Sequence, residues 1–185
     1  MDNTSFAASA NLYTERLVLR QMTMNDAPQI LVLRSDERIL RYLIISKCLN
    51  EEEAMQFIDK INKSVSRSES YYWGIAQKNE EGKLIGTICI WNISEENSRA
   101  EIGFVLHPDW QGMGLMNEAV KTVLDFVFDK LRIHSIEAEV HPGNLASKKL
   151  LKKQGFVKDA SSKENIFSND GSPATELYSL ISPHK

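Results

Sequence analysis

The chain has 185 residues, 42% of them hydrophobic and 25% charged, with a formal net charge of −3. That composition fits one ordinary globular domain, large enough to fold without disulfide or metal staples. The slightly acidic balance gives no electrostatic reason to expect nucleic acid or an anionic membrane as partner.

Residues 1–11 lack a basic n-region and a long apolar core, so they read as a flexible tail and not as a signal peptide. Residues 12–185 are read as a single domain. Cys48 and Cys89 form no C-x-x-C pair; reduced thiols in a cytoplasmic protein are expected, and no metal site is assigned. No apolar run approaches the roughly 20 residues of a membrane helix.

Residues 15–21 alternate polar and apolar and predict a strand. Thr23, Asn25, Asp26 and Pro28 mark a helix start, followed by the apolar stripe Ile30, Leu31, Leu33. Residues 34–42 allow one more helical turn. Asn50 is the expected cap of a clear helix: Glu51 to Glu53 suit its N-terminal dipole, and Ala54, Phe57, Ile58, Ile61 and Val65 share a face. Strands are expected over residues 70–77, 83–93 and 99–106, with a hairpin loop at 78–82 and a turn at 94–98. A helix is expected over 113–131, a strand over 135–140, and a basic helix from Asn144 to a C-terminal Gly155. Residues 156–158 and 175–182 close the list of strands, on either side of a polar excursion at 161–173. The order predicts an α+β fold, antiparallel in its first half, with a helical crossover near the middle.

That crossover carries the chemistry. Strand 99–106 runs through His107-Pro108-Asp109 into Gln111-Gly112-Met113-Gly114-Leu115-Met116 and then into helix. A strand, a glycine-spaced loop and a helix start aim backbone N–H groups at an anion, with the helix dipole behind them. The same loop also fits a tight strand-to-helix turn without a ligand. It is no P-loop, since Gly-Lys-Ser/Thr is missing, and no dinucleotide fingerprint, since the third glycine is missing.

Asn144-Leu145-Ala146-Ser147 and Gly155-Phe156, read with Gln111 to Met116, resemble the motifs of the GCN5-related N-acetyltransferases. Thr14-Glu15-Arg16-Leu17, Leu19-Arg20 and Asp26-Ala27 are similar to the branch of ribosomal-protein N-terminal acetyltransferases. The resemblance spans nearly the whole chain. It implies a twisted, mostly antiparallel sheet of about seven strands flanked by helices, with a parallel, splayed strand pair at the cofactor site. It implies acetyl transfer from acetyl-coenzyme A to a primary amine, a protein N-terminal α-amine or a small amine, by direct attack in a ternary complex. A degenerate acyl-coenzyme-A sensor without turnover is the alternative, and a homodimer is left open.

The resemblance also assigns residues. The N–H groups of Gln111, Gly112, Met113, Gly114, Leu115 and Met116 are expected to hold the pyrophosphate. The pantetheine arm is expected along Phe104, Val105 and Leu106, with Asn144 reaching it and Lys149 near the 3′-phosphate. Two departures stand out: Met116 replaces the usual Gly or Ala, and Leu151 replaces the Tyr that many members use to protonate the thiolate. Ser147, one turn earlier, is the substitute acid, and Glu101 is the candidate base, acting through water. His107 and His141 each precede Pro and read as turn residues. Tyr42, Tyr71 and Tyr72 are expected to line the acceptor cleft.

Overall fold

Leu17 and Leu19 pack on one side of the sheet while Val18, between them, packs on the other. The same period of two sends Trp73 and Ile75 one way and Tyr72 and Ala76 the other. A sheet apolar on both faces must be covered on both. A computed structural model of the chain describes residues 10–43, 45–159 and 175–184, and it shows both covers.

The strands are β1 (Leu12–Tyr13), β2 (Leu17–Arg20), β3 (Tyr71–Gln77), β4 (Glu80–Ser94), β5 (Arg99–Leu106), β6 (Ser135–Val140), β7 (Val157–Lys158) and β8 (Glu176–Ile181). They form one sheet in the order β1-β2-β3-β4-β5-β6-β8-β7, antiparallel except for β5 beside β6. The helices are α1 (Ala27–Leu33), α2 (Glu37–Leu40), α3 (Glu51–Ser66), α4 (Leu115–Phe126) and α5 (Leu145–Lys153). Ala27, Ile30 and Leu33 of α1 and Ala54 and Ile58 of α3 bury one face of the sheet. Ala119, Val120, Val123 and Leu124 of α4 bury the other, where Leu151 of α5 also packs.

Local chemistry sets the boundaries. The side chain of Asn50 accepts from the Glu53 N–H, and the Glu53 carboxylate accepts from the Leu49 N–H just before the cap, so two donors at the helix start are satisfied. Asp26 forks onto Arg20 and takes the Thr23 N–H, which fixes a 3₁₀ turn before α1.

Several expectations need correction. The sheet has eight strands, because Leu12–Tyr13 pairs with β2. Of the expected tail of residues 1–11, residues 1–9 lie outside the described residues, and the Ala10 carbonyl accepts a hydrogen bond from the Trp73 indole at 2.9 Å. The hairpin turn after β3 is shorter than 78–82, since β4 already begins at Glu80 and takes up the extra residues as register shifts. The helix expected from residue 113 starts at Leu115, because Gly112 and Gly114 have φ of 77° and 78°. It continues past Phe126 as a π turn to Leu131. The polar excursion at 161–173 lies outside the described residues.

The pairing of β5 decides where a ligand fits. It runs with β6 only from Arg99↔Ser135 to Glu101↔Glu137. Beyond that, β5 stays with β4 out to Leu106 and β6 stays with β8 out to Val140. The two parallel strands therefore part after Glu101, and the end of β5 is left bordering a cleft.

Candidate active site

Between α2, the end of β5, the start of α4 and α5 lies a cleft of about 420 Å³. The structure gathers Phe104, Val105, Leu106, Gln111, Gly112, Gly114, Leu115, Met116, Asn144, Ser147 and Lys149 along its walls. Every cofactor-binding residue expected from sequence is there except Met113, whose side chain is exposed.

The glycine loop has the geometry of an anion cradle. Gly114 is the N-cap of α4 and has no side chain to cap it, so the first N–H groups of the helix face the cleft without a capping acceptor. A Cβ built on Gly112 would meet nothing within 4 Å, which leaves the approach open. Gln111 braces the loop by donating from Nε2 to the Leu106 carbonyl at 2.9 Å. At the far side, Gln154 Nε2 donates to both the backbone and side-chain oxygens of Asn117, tying the end of α5 to the start of α4.

Helix α5 divides its lysines by face. Lys149 and Lys153, one turn apart, line the cleft. Lys148 turns away and pairs with Glu176 at 2.9 Å, as Lys158 does at 3.1 Å. Burial alone would raise the Glu176 carboxyl, but the two lysines outweigh it and hold it below the usual range. Burial beside that carboxylate pushes the Tyr178 phenol up.

Asn144 caps α5, its Oδ1 accepting the Ser147 N–H at 3.1 Å. Both residues line the cleft, so one interaction fixes the helix start and presents the serine. Leu151 is fully buried in the core and does not reach the cleft. Glu101 is the exception among the expected catalytic residues. It lies five residues before Leu106, roughly 16 Å along the strand, and its Oε1 accepts from Asn92 Nδ2 at 2.6 Å. It is not among the residues that line the cleft; its position gives no support to the role of base.

His107 and His141 are turn residues. His107 Nδ1 accepts from the Asp109 N–H, and His141 Nδ1 accepts from the Gly143 N–H. Tyr42 lines the cleft against His141. Tyr71 does not: it stacks on Trp73 and meets Phe126 inside the fold. Arg38, which the sequence reading missed, stands at the cleft. A short ion pair with Arg38 holds the Asp36 carboxyl down at about 2. Burial pushes the Cys89 thiol up to about 12, which disfavours its thiolate.

A family model described as an acetyltransferase (GNAT) domain matches residues 16–157. This chain belongs to the GNAT acetyltransferase family. It is 30% identical over 174 residues, 94% of its length and 98% of the relative's, to the Bacillus subtilis (strain 168) protein named uncharacterized N-acetyltransferase YoaA. It superposes on the ribosomal-protein-S5-alanine acetyltransferase of Vibrio fischeri with a TM-score of 0.81 at 25% identity, covering 95% of this chain and 98% of that one. The ribosomal L7/L12 α-N-protein acetyltransferase RimL, solved with coenzyme A, shares the fold, with a TM-score of 0.82 at 18% identity over 95% of this chain and 100% of that one. The protein is thus an acetyl-coenzyme-A-dependent N-acetyltransferase of mixed α+β fold. The uncapped start of α4 and the open glycine loop fit an anionic group such as the phosphates of that donor, and the end of β5 is left without a β6 partner beside them.

Proposed function

We propose that the acceptor is an α-amine, that of a polypeptide N-terminus. The observation that carries this is the charge of the cleft. Its titratable lining consists of Arg38, Tyr42, Lys149 and Lys153, with no Asp, Glu or His among the described residues. An amine must be neutral to attack. An α-amine of pKa ~8 reaches that state at pH 7 for roughly 1.4 kcal/mol, whereas a lysine of pKa ~10.4 needs about 4.6 kcal/mol. A cleft without a carboxylate base suits the first and not the second. The names of the ribosomal-protein relatives point the same way.

Acetyl-coenzyme A, when bound, supplies the activated acetyl group. The residues of this chain orient it and manage protons. The N–H groups from Gln111 to Met116 bind its phosphates at the start of α4, with Lys149 and Lys153 adding positive charge at the cleft wall. Phe104 to Leu106 offer the backbone that β6 leaves free. A backbone N–H near Val105 or Leu106 would hold the thioester oxygen as it gains charge during attack. The Ser147 hydroxyl donates a proton to the departing sulfur. No helix among the described residues is long and apolar enough to cross a membrane, and we assign the protein to the cytoplasm with its substrates.

The test is an acceptor panel read by release of coenzyme A thiol. Peptides with free N-termini, the same peptides blocked at the N-terminus but carrying lysine, and small amines are compared. Free N-termini are expected to be used best. Equal or better use of the blocked lysine peptides would overturn the assignment.

A further inference from the structure

A second, smaller pocket of about 20 Å³ lies on the α1 and α3 side of the sheet, between Leu33, Arg34, Phe57, Tyr72, Thr87 and Val105. That is room for about one water-sized atom, such as one carboxylate oxygen. Val105 also lines the large cleft, so this pocket adjoins the end of β5 where the amine must arrive.

Arg34 stands out by its burial, since Arg41 and Arg132 also form no ion pair among the described residues but are exposed. Arg16, Arg20, Arg38, Arg67 and Arg99 each pair with a carboxylate. Arg34 has no carboxylate within salt-bridge distance among the described residues. Its guanidinium lies over the Phe57 ring at 4.1 Å, and Nη2 donates to the Ser46 carbonyl at 2.9 Å. Its Nε–H is buried with no acceptor among the described residues. A partly buried cation with an orphaned donor is costly unless an anion completes it. Across the pocket stand two hydroxyls, Tyr72 and Thr87, 3.4 Å apart. Burial pushes the Tyr72 phenol up, so it remains a donor at neutral pH.

We propose that this pocket receives a carboxylate of the acceptor, bound by Arg34 on one side and by the Tyr72 and Thr87 hydroxyls on the other. The planar guanidinium fork matches a carboxylate better than any neutral group. The amine then extends past Val105 toward the acetyl group. The acceptor class is an α-amine carrying a nearby carboxylate, either an acidic residue close to a polypeptide N-terminus or the free carboxylate of a small amino acid. This rests on the acetyl-transfer reading above.

Matched pairs test it. One arm compares hexapeptides beginning Ser-Asp with Ser-Asn and Ala-Glu with Ala-Gln. The other compares alanine with alaninamide. Both are read by thiol release and, independently of turnover, by calorimetric binding to the protein loaded with coenzyme A. The acid is expected to be favoured about tenfold or more in one arm, which identifies the source of the carboxylate. Arg34→Gln is expected to remove that preference and Arg34→Lys to keep part of it. Equal binding of acid and amide in both arms overturns the proposal, as does a preference that survives Arg34→Gln. The wild-type comparison decides by itself should the variants fail to fold. Acid-selective binding without thiol release supports this pocket and sinks the acceptor assignment; thiol release from acid and amide alike does the reverse.

Discussion

Arg16 and Glu118 stand 102 residues apart in the chain, and Arg16 Nε meets Glu118 Oε2 at 2.8 Å. The contact is built from several sides. The Arg16 N–H and the Thr14 hydroxyl both donate to the other carboxylate oxygen. Arg16 Nη1 also donates to the Met113 carbonyl, inside the glycine loop, at 3.0 Å. The turn between β1 and β2 thus holds the loop against the first turn of α4.

The pair is half-exposed, so its own stabilisation is small, ~0–1 kcal/mol. Its effect falls on loop position. Arg16→Ala is expected to raise the KM for acetyl-coenzyme A about tenfold, equivalent to one charge-assisted hydrogen bond, while the thermal midpoint barely moves. An unchanged KM would reduce the pair to a fastener between strand and helix.

Ser147 makes a different prediction. Its N–H is used in the Asn144 cap, but no hydrogen bond from its hydroxyl occurs among the described residues. Ser147→Ala is expected to lower kcat about tenfold and leave the KM for acetyl-coenzyme A close to normal. The loss is modest because a thiolate leaves well without an acid. Wild-type turnover in steady-state assays would take Ser147 out of the mechanism.

Gly86 tests the wall of the cleft. It sits opposite Leu106 on β4, and a Cβ there would lie 2.4 Å from the Val105 carbonyl oxygen. Backbone cannot yield as a flexible side chain does. Gly86→Ala is expected to cost about 2–3 kcal/mol by denaturant unfolding. Gly82→Ala, where an added Cβ meets nothing within 4 Å, is the control and should change stability by less than ~1 kcal/mol.

Acid should unfold the protein through its buried carboxylates. Burial would raise the Asp26 carboxyl, but the Arg20 fork and the Thr23 N–H hold it below the usual range. Glu118 and Glu176 are likewise held low by their partners. A carboxyl with a lowered folded pKa stabilises fully above its unfolded value, ~4, and loses that contribution as pH falls through the folded value. Stability from these groups is therefore expected to hold at pH 5–7 and to decline below about pH 4. Asp26→Asn should cost about 3 kcal/mol at pH 7 and flatten part of the acid limb. An acid limb identical to that of the wild type would show that Asp26 does not contribute.

Legibility followed the range of the interactions. The edges of β5 were readable to the residue, because a strand bounded by Ser98 and His107-Pro108 depends on local pattern. Asn144 and Gly155 were readable as helix ends for the same reason. The β1 pairing was not, since two residues carry no period. The distance of Glu101 from the cleft was not readable, because sequence gives its strand but not how far along that strand the cleft begins. Arg38 was missed because a four-residue helix leaves too short a stripe to read.

By itself, the sequence determined the donor side of this enzyme. The glycine loop, the helix start and Asn144 are short contiguous signals, and the role proposed for them rests on backbone N–H groups that local conformation places. Only the tertiary structure decided what surrounds them. It brought Arg16 to the loop, gave Lys148 to Glu176 while leaving Lys149 to the cleft, and set Arg34, Phe57, Tyr72 and Thr87 around one pocket. Those residues come from different helices and strands, and their meeting is fixed by how both faces of the sheet are covered, which no local pattern encodes.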